Sequence, residues 1–304
     1  MPRALGGLGL VVAVVAVGAG TLGCRKQPSK PHAAPAPPAS TALPAPVASG
    51  LAIPADVVAK VVNSSGRPPY AGPTASVKGV VRAVGDAAPE DPEAIRQIPA
   101  ECDLAREAYS KIFRTGPKRE LADALVTVTG YEAYVPERVA AVPVEARGCF
   151  WGSRTFAITF GQRLEVASKD RRPYVPDLIG GKLPAQIIAM PGGAPSAIYP
   201  NQPGRYVLID SMRIFAMAEV YVLKYPTHSV TGLDGRYEIT GIPPGKDLKL
   251  TAFSPQTGEV LEKTITLVGG QSLEMDFELP FSLQKHAENR AKAGPAAASA
   301  APRH

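Results

Sequence analysis

Few residues in this chain are equipped for chemistry. Among its 304 residues are four histidines, His32, His228, His286 and His304, and three cysteines, Cys24, Cys102 and Cys149. A type 1 copper centre needs two imidazoles, a thiolate and a weak axial ligand, and a zinc site needs its ligands clustered. Neither pattern is present: no histidine stands near Cys102 or Cys149, and only His228 lies outside the Pro- and Ala-rich ends. A lone histidine before a turn reads as a turn or surface residue rather than a ligand or catalyst. The sequence also lacks a phosphate-cradling glycine loop with its lysine, an HExxH pair and a GxSxG elbow. The glycine loops "LIGGKLP" (178–184) and "PGGAP" (191–195) have no helix behind them to make an anion site. The expectation is a protein with no catalytic residues, no metal and no cofactor.

The elements that would position any site are β. "SVKGVVRAV" (76–84), "ALVTVTG" (124–130), "RTFAITFG" (154–161), "QRLEVAS" (162–168), "GRYVLID" (204–210) and "AEVYVLKY" (218–225) are short, rich in β-branched or aromatic residues, and bounded by Gly, Pro or Asp. Phe156, Ile158 and Phe160 alternate with Thr155, Ala157 and Thr159, which puts one face inward. "AECDLAREAYSKIF" (100–113) is the one stretch with helical spacing and predicts a short helix or turns. An all-β fold of antiparallel sandwiches follows from repeated short strands with turn signals. The 45% hydrophobic content is enough for one large core or two small ones.

The ends belong to no core. Residues 1–23 carry Arg3 and then the apolar run "LGLVVAVVAVGAG", the pattern of a secretory signal peptide. It closes on "TLGC" (21–24), which resembles the lipobox of bacterial lipoproteins, with Thr21 where that family prefers Leu. The resemblance implies acylation of Cys24 and a membrane partner reached through the lipid. Arg25, in place of the acidic residue that marks inner-membrane retention, points to the outer membrane. A Pro/Ala-rich linker (24–70) is expected to hold the fold off the membrane, and 282–304 to form a disordered tail. With Cys24 acylated, Cys102 and Cys149 are left as an even pair that an oxidising compartment would bridge. The net charge of +6 is spread singly among acids, so nucleic acid is not an expected partner. An envelope protein or polysaccharide is, and the oligomeric state stays open.

Two further resemblances concern the folded part. "VTGLDGRYEITGIPPGKDLKL" (230–250), followed by "EKTITLVGGQSLEMDFEL" (262–279), resembles the carboxypeptidase regulatory-like, transthyretin-like domain, grouped with carbohydrate-binding-like folds. Thr231, Asp234, Gly235, Tyr237, Ile239, Pro243, Pro244, Gly245 and Leu248 match its signature. Here "LDG" (233–235) is expected to make a hairpin turn, with Ile265, Leu267, Met275, Phe277 and Leu279 facing inward. Over about 76–281, "IPAEC", "DALVTVTG", "VEARGCFW" and "FGQRLEVASKD" resemble the cupredoxin-like region that precedes this domain in exported bacterial proteins. These resemblances set boundaries of 71–226 for the cupredoxin-like sandwich and 227–281 for the regulatory-like domain.

The cupredoxin resemblance fails at its ligands. The first histidine falls near Tyr174, the cysteine near Asp210, the second histidine near Arg213, and the axial position at Ala216 or Met217. The resemblance thus implies a copper scaffold without its copper and a vestigial pocket drawn from Asp170, Tyr174, Asp177, Asp210 and Arg213. These charges, with Arg171 and Arg172, read as a salt-bridge network first and an anion or small-ligand pocket second. Trp151, two residues after Cys149, reads as core filler. The expected role is a non-catalytic binding or scaffolding module of the envelope. One alternative is carbohydrate binding on Tyr131, Tyr134, Tyr174 and Tyr199; another is a redox or metal protein with a non-type 1 site at Asp210, Asp177 and Tyr174.

Overall fold

The computed structural model describes residues 47–48, 52–181 and 186–297. The expected leader, Cys24 and most of the linker lie outside them. The chain divides into units 1–42 and 43–304, and all of the described residues belong to the second.

The chain opens with β1 (Val47–Ala48), α1 (Ala55–Val62) and the long β2 (Ala75–Gly85). Two short helices come after it, α2 (Pro92–Gln97) and α3 (Asp103–Tyr109), then β3 (Leu125–Thr129). Seven strands come next: β4 (Ala141–Ala146), β5 (Thr155–Thr159), β6 (Arg163–Ser168), β7 (Pro176–Ile179), β8 (Ser196–Ile198), β9 (Gly204–Asp210) and β10 (Arg213–Leu223). The last are β11 (His228–Val230), β12 (Arg236–Ile242), β13 (Gly245–Phe253), β14 (Val260–Leu267), β15 (Ser272–Glu274) and β16 (Phe277–Phe281), before helix α4 (Leu283–Ala297).

The architecture is all-β, in two sandwiches. In the first, the sheets run β1-β8-β6-β4 and β5-β10-β9-β7 around a core that includes Trp151, Ile158, Leu164, Tyr174, Leu208 and Val220. In the second, β11-β3-β13-β14 faces β12-β2-β15, with β16 also paired to β2, around Val77, Val81, Val126, Tyr237, Leu250 and Phe277. Pairing is mixed rather than wholly antiparallel: β4 runs parallel to β6 and β5 to β10. The cause is the crossing of layers. β5 lies in the sheet facing β4 and β6, so the chain returns to their sheet running in its original direction.

The strands divide between the sandwiches differently from the expectation. β2 and β3, placed within 71–226, pair with β12 and β13 and supply Val77, Val81, Val126 and Val128 to the second core. A boundary at 226 therefore does not separate the cores; the sandwich built on β4–β10 is inserted into the other one. The "LDG" turn also differs, because β11 and β12 lie in facing sheets, so it is a crossover and not a hairpin. Its glycine is required all the same. Gly235 sits at φ +64, and a Cβ there would stand 2.5 Å from the carbonyl oxygen of Val81. The inward set of the closing strands is as expected: Ile265, Leu267, Phe277 and Leu279 are buried and Met275 packs against them.

The ends are more ordered than expected. Within the linker range, α1 lays Val58, Val61 and Val62 on the first core, and its approach depends on Gly161, where a Cβ would meet Val58 at 2.7 Å. The tail forms α4 to residue 297, anchored where the Leu283 amide donates to Asp86 (2.8 Å) and Lys285 pairs with Glu259 (2.7 Å). Among the described residues no helix is long and apolar enough to cross a membrane.

Candidate functional site

Most of the residues expected to form a pocket do come together. β9 ends on Asp210, β10 begins at Arg213, and the segment before β7 carries Tyr174. Asp210 is fully buried and ion-paired to Arg213, and it accepts the amides of Val175 and Met212, each at 3.1 Å. The Arg213 guanidinium lies 5.1 Å from the centre of the Tyr174 ring and donates to the Pro173 carbonyl. The carboxylate is thus closed by one cation and two backbone donors, which satisfies a buried charge.

Tyr174 extends this corner towards the disulfide. Its ring is fully buried beside Trp151, with centroids 5.6 Å apart. Its hydroxyl donates to Asp170 (2.8 Å) and accepts the Cys149 amide (3.0 Å). Burial and the Asp170 carboxylate push its pKa well above the ordinary tyrosine value. Asp170 also accepts the amides of Gly148 (2.9 Å) and Arg172 (3.0 Å) and lies 3.6 Å from the Arg172 guanidinium. Arg172 in turn donates to Cys149 Sγ at 2.9 Å. Cys102 and Cys149 are disulfide-bonded, fixing α3 to the turn after β4. Trp151 is core filler, its indole N–H donating to the Ala216 carbonyl (3.0 Å).

Of the expected pocket, therefore, Asp170, Tyr174, Asp210 and Arg213 share one corner and fill it with their own hydrogen bonds. Asp177 is apart: it is exposed on β7 and, among the described residues, accepts its neighbour's amide, Leu178 (2.8 Å). Arg171 is exposed and has no side-chain partner among the described residues. These residues do not fit a type 1 copper ion, because the corner offers no imidazole, its cysteine is in the disulfide and its carboxylate oxygens are already engaged. Nor do the aromatic rings form a flat exposed platform. Tyr174 is buried, and Tyr131, Tyr134 and Tyr199 are only part-exposed, with the Tyr131 hydroxyl bonded to Thr227 (2.8 Å). Among the described residues no three His, Cys, Asp or Glu side chains gather as a metal site.

His228 is not the surface residue expected. It begins β11 opposite Thr127, and its Nε2 lies 3.3 Å from the Thr159 hydroxyl, which donates to Glu137 at 2.7 Å. Burial pushes its pKa down to about 4, only partly opposed by Glu137. A neutral imidazole is the consequence. The threonine gives its proton to the carboxylate, so the order of groups is wrong for nucleophile activation, where the histidine would accept it.

Sequence reasoning missed the residue that joins the sandwiches. Asp123, just before β3, is buried at φ +64 and takes a bidentate hand from Arg114 (2.8 and 2.6 Å). It also accepts the Ser153 hydroxyl and the Arg154 amide, both at 2.9 Å, from the start of β5. The only signal was an acidic residue ahead of an apolar run. Beside this junction opens a cleft of about 700 Å³ between α3, the segment 110–115 and the turn after β4.

No family model and no curated relative matches the chain. Solved structures similar to it include a reduced amicyanin variant, at 14% identity with a TM-score of 0.24, over 32% of this chain and 98% of the amicyanin. A copper(I) amicyanin variant matches at 15% identity with a TM-score of 0.23, over 32% of this chain and 97% of that one. The copper-containing nitrite reductase of Thermus scotoductus SA-01 matches at 19% identity with a TM-score of 0.24, over 31% of this chain and 24% of its own. These are weak likenesses to cupredoxins over about a third of the chain, and the sandwich assignment rests on the pairing of the strands themselves.

Proposed function

We propose that this protein is a non-catalytic lipoprotein of the bacterial envelope, tethered through acylated Cys24 and acting as a binding or scaffolding module on the periplasmic or outer face of the outer membrane. The observation that carries the non-catalytic half is the corner at Asp210. Every group there is engaged by another protein group: Asp210 by Arg213 and two amides, Tyr174 by Asp170 and Cys149, Arg172 by the disulfide sulfur. Such a network holds a scaffold rigid and leaves no base or nucleophile with free valence. A disulfide suits an exported chain. The Pro/Ala-rich composition of the run after Cys24 supports its use as a spacer between a lipid and the fold.

The test has two arms on the full chain in its host. Cys24→Ser is expected to abolish fatty-acid labelling and move the protein from the membrane to the soluble fraction; persistence of the label rejects the anchor. Cross-linking in intact cells is expected to trap an envelope component. Appearance of a blue absorption band on adding cupric salt to the purified protein would reject the module and favour electron transfer.

A further inference from the structure

We infer that the cleft beside α3 is a binding site for a small net-anionic amino acid or short acidic peptide. The inference rests on the binding-module reading and gives that module its ligand class. At about 700 Å³ the cleft has the size of a small-molecule site. Phe113 and Phe150 are buried among its lining and Leu104 is part-buried, a surface suited to an aliphatic side chain. The charges around it sort into two kinds. Arg114 is held by Asp123, and Lys169 by Glu145 at 3.2 Å, so both are neutralised within the protein. Lys111, Arg147 and Glu107 are exposed and have no side-chain hydrogen bond or ion pair among the described residues.

Two free cations and one free carboxylate around an apolar wall are the complement of a molecule with two carboxylates and one ammonium. A neutral sugar would leave all three unused, and a plain polyanion would be repelled by Glu107. Arg114 adds shape rather than charge. Its guanidinium stacks 5.0 Å from the Phe150 ring and its grip on Asp123 keeps that wall in place before any ligand arrives.

The probe is leucyl-glutamate, titrated calorimetrically into the full chain in detergent, beside its N-acetyl form, its bis-amide and free glutamate. Leucyl-glutamate is expected to bind. Lys111→Gln and Arg147→Gln should each weaken it by about tenfold, as should Glu107→Gln or acetylation of the amine. The variants should melt as the parent does, because these side chains hold nothing in the fold. Equal affinity for free glutamate assigns an amino acid, and tighter binding of the dipeptide assigns a peptide; either supports the site. No heat at millimolar ligand, or binding that survives all three substitutions, overturns it. That failure leaves the envelope-module reading to be judged separately, by its cross-linking arm.

Discussion

The first sandwich is made from one run of chain, β4 to β10, with β1 and α1 laid on it; the second is assembled from β2 and β3 on one side of that run and β11 to β16 on the other. Their interiors differ as well. The second buries, beside its apolar side chains, the hydroxyls of Thr227 and Thr231, which donate to the Val128 and Leu121 carbonyls, and at its edge Asp123. In the first, the buried set also contains Asp210, Thr159, Gln162 and a tyrosine whose hydroxyl is bonded to Asp170. The discontinuous sandwich thus works as a clamp on the ends of the continuous one. Coupling between them runs through the Cys102–Cys149 disulfide, which ties the segment between β2 and β3 to the turn after β4, and through the junction where Asp123, of the clamp, meets Ser153 and Arg154, of the insert. Lesser contacts add to it: Gln256 donates to the Thr155 hydroxyl at 3.1 Å, and Tyr221 meets Phe253 edge-on at 5.9 Å.

The largest expected effect comes from cutting that junction. Asp123→Ala strands Arg114 and removes the acceptor for two donors of the insert, a change worth about 4 kcal/mol. Because the loss falls between the sandwiches and not inside either, it should also uncouple them. Trp151, the only tryptophan, reports the first sandwich alone. Urea unfolding followed by its fluorescence and by far-ultraviolet circular dichroism is expected to give coincident midpoints in the parent and separated ones in the variant. Coincident midpoints in both would show that the clamp does not depend on Asp123.

A smaller effect should come from the clamp itself. Gly235→Ala forces a Cβ into left-handed backbone and against the Val81 carbonyl at 2.5 Å, at a cost of about 2 kcal/mol. Hydrogen exchange is expected to rise in β2 and β12, where Val80 faces Arg236, before it rises in β9 or β10. An even rise across both sandwiches would mean that they open as one unit and would erase the distinction between clamp and insert.

What the sequence disclosed falls along the same division. The positive φ at Gly235 and the inward set Ile265, Leu267, Phe277 and Leu279 were legible, because glycine's backbone freedom and period-two alternation are local properties, whereas the hairpin expected at 233–235 proved a crossover between facing sheets. The partnership of β2 with β12 was not. Val77 and Ile239 are 162 positions apart, and no local pattern encodes which strand a distant one will meet. The corner was half legible: Asp210 and Arg213 are three residues apart across the turn between β9 and β10, but its closure also needs the Pro173 carbonyl and the Val175 amide, which come from a distant segment. Asp123 was hidden for the same reason, since its partners come from positions 114, 153 and 154. His228 was misread as a surface residue because its burial is conferred by β5, contributed by the inserted sandwich.

That histidine gives the finest discrimination between the two regions. Its imidazole belongs to the clamp and its partner Thr159 to the insert, so its protonation loads their contact without touching either core. The folded pKa of about 4 lies below the ordinary histidine value of 6.5, and the unfolded chain therefore binds the extra proton first. Stability is complete above the unfolded value and drains away as pH falls through the window down to the folded one. Between about pH 7 and about pH 5.5 the loss should be about 1 kcal/mol. His228→Gln keeps a donor for Thr159 and has nothing to titrate, so its unfolding midpoint is expected to stay flat over that interval while the parent's declines. If both decline together, carboxylates elsewhere set the acid limit, and the contact between β11 and β5 is no weaker a joint than the sandwiches it connects.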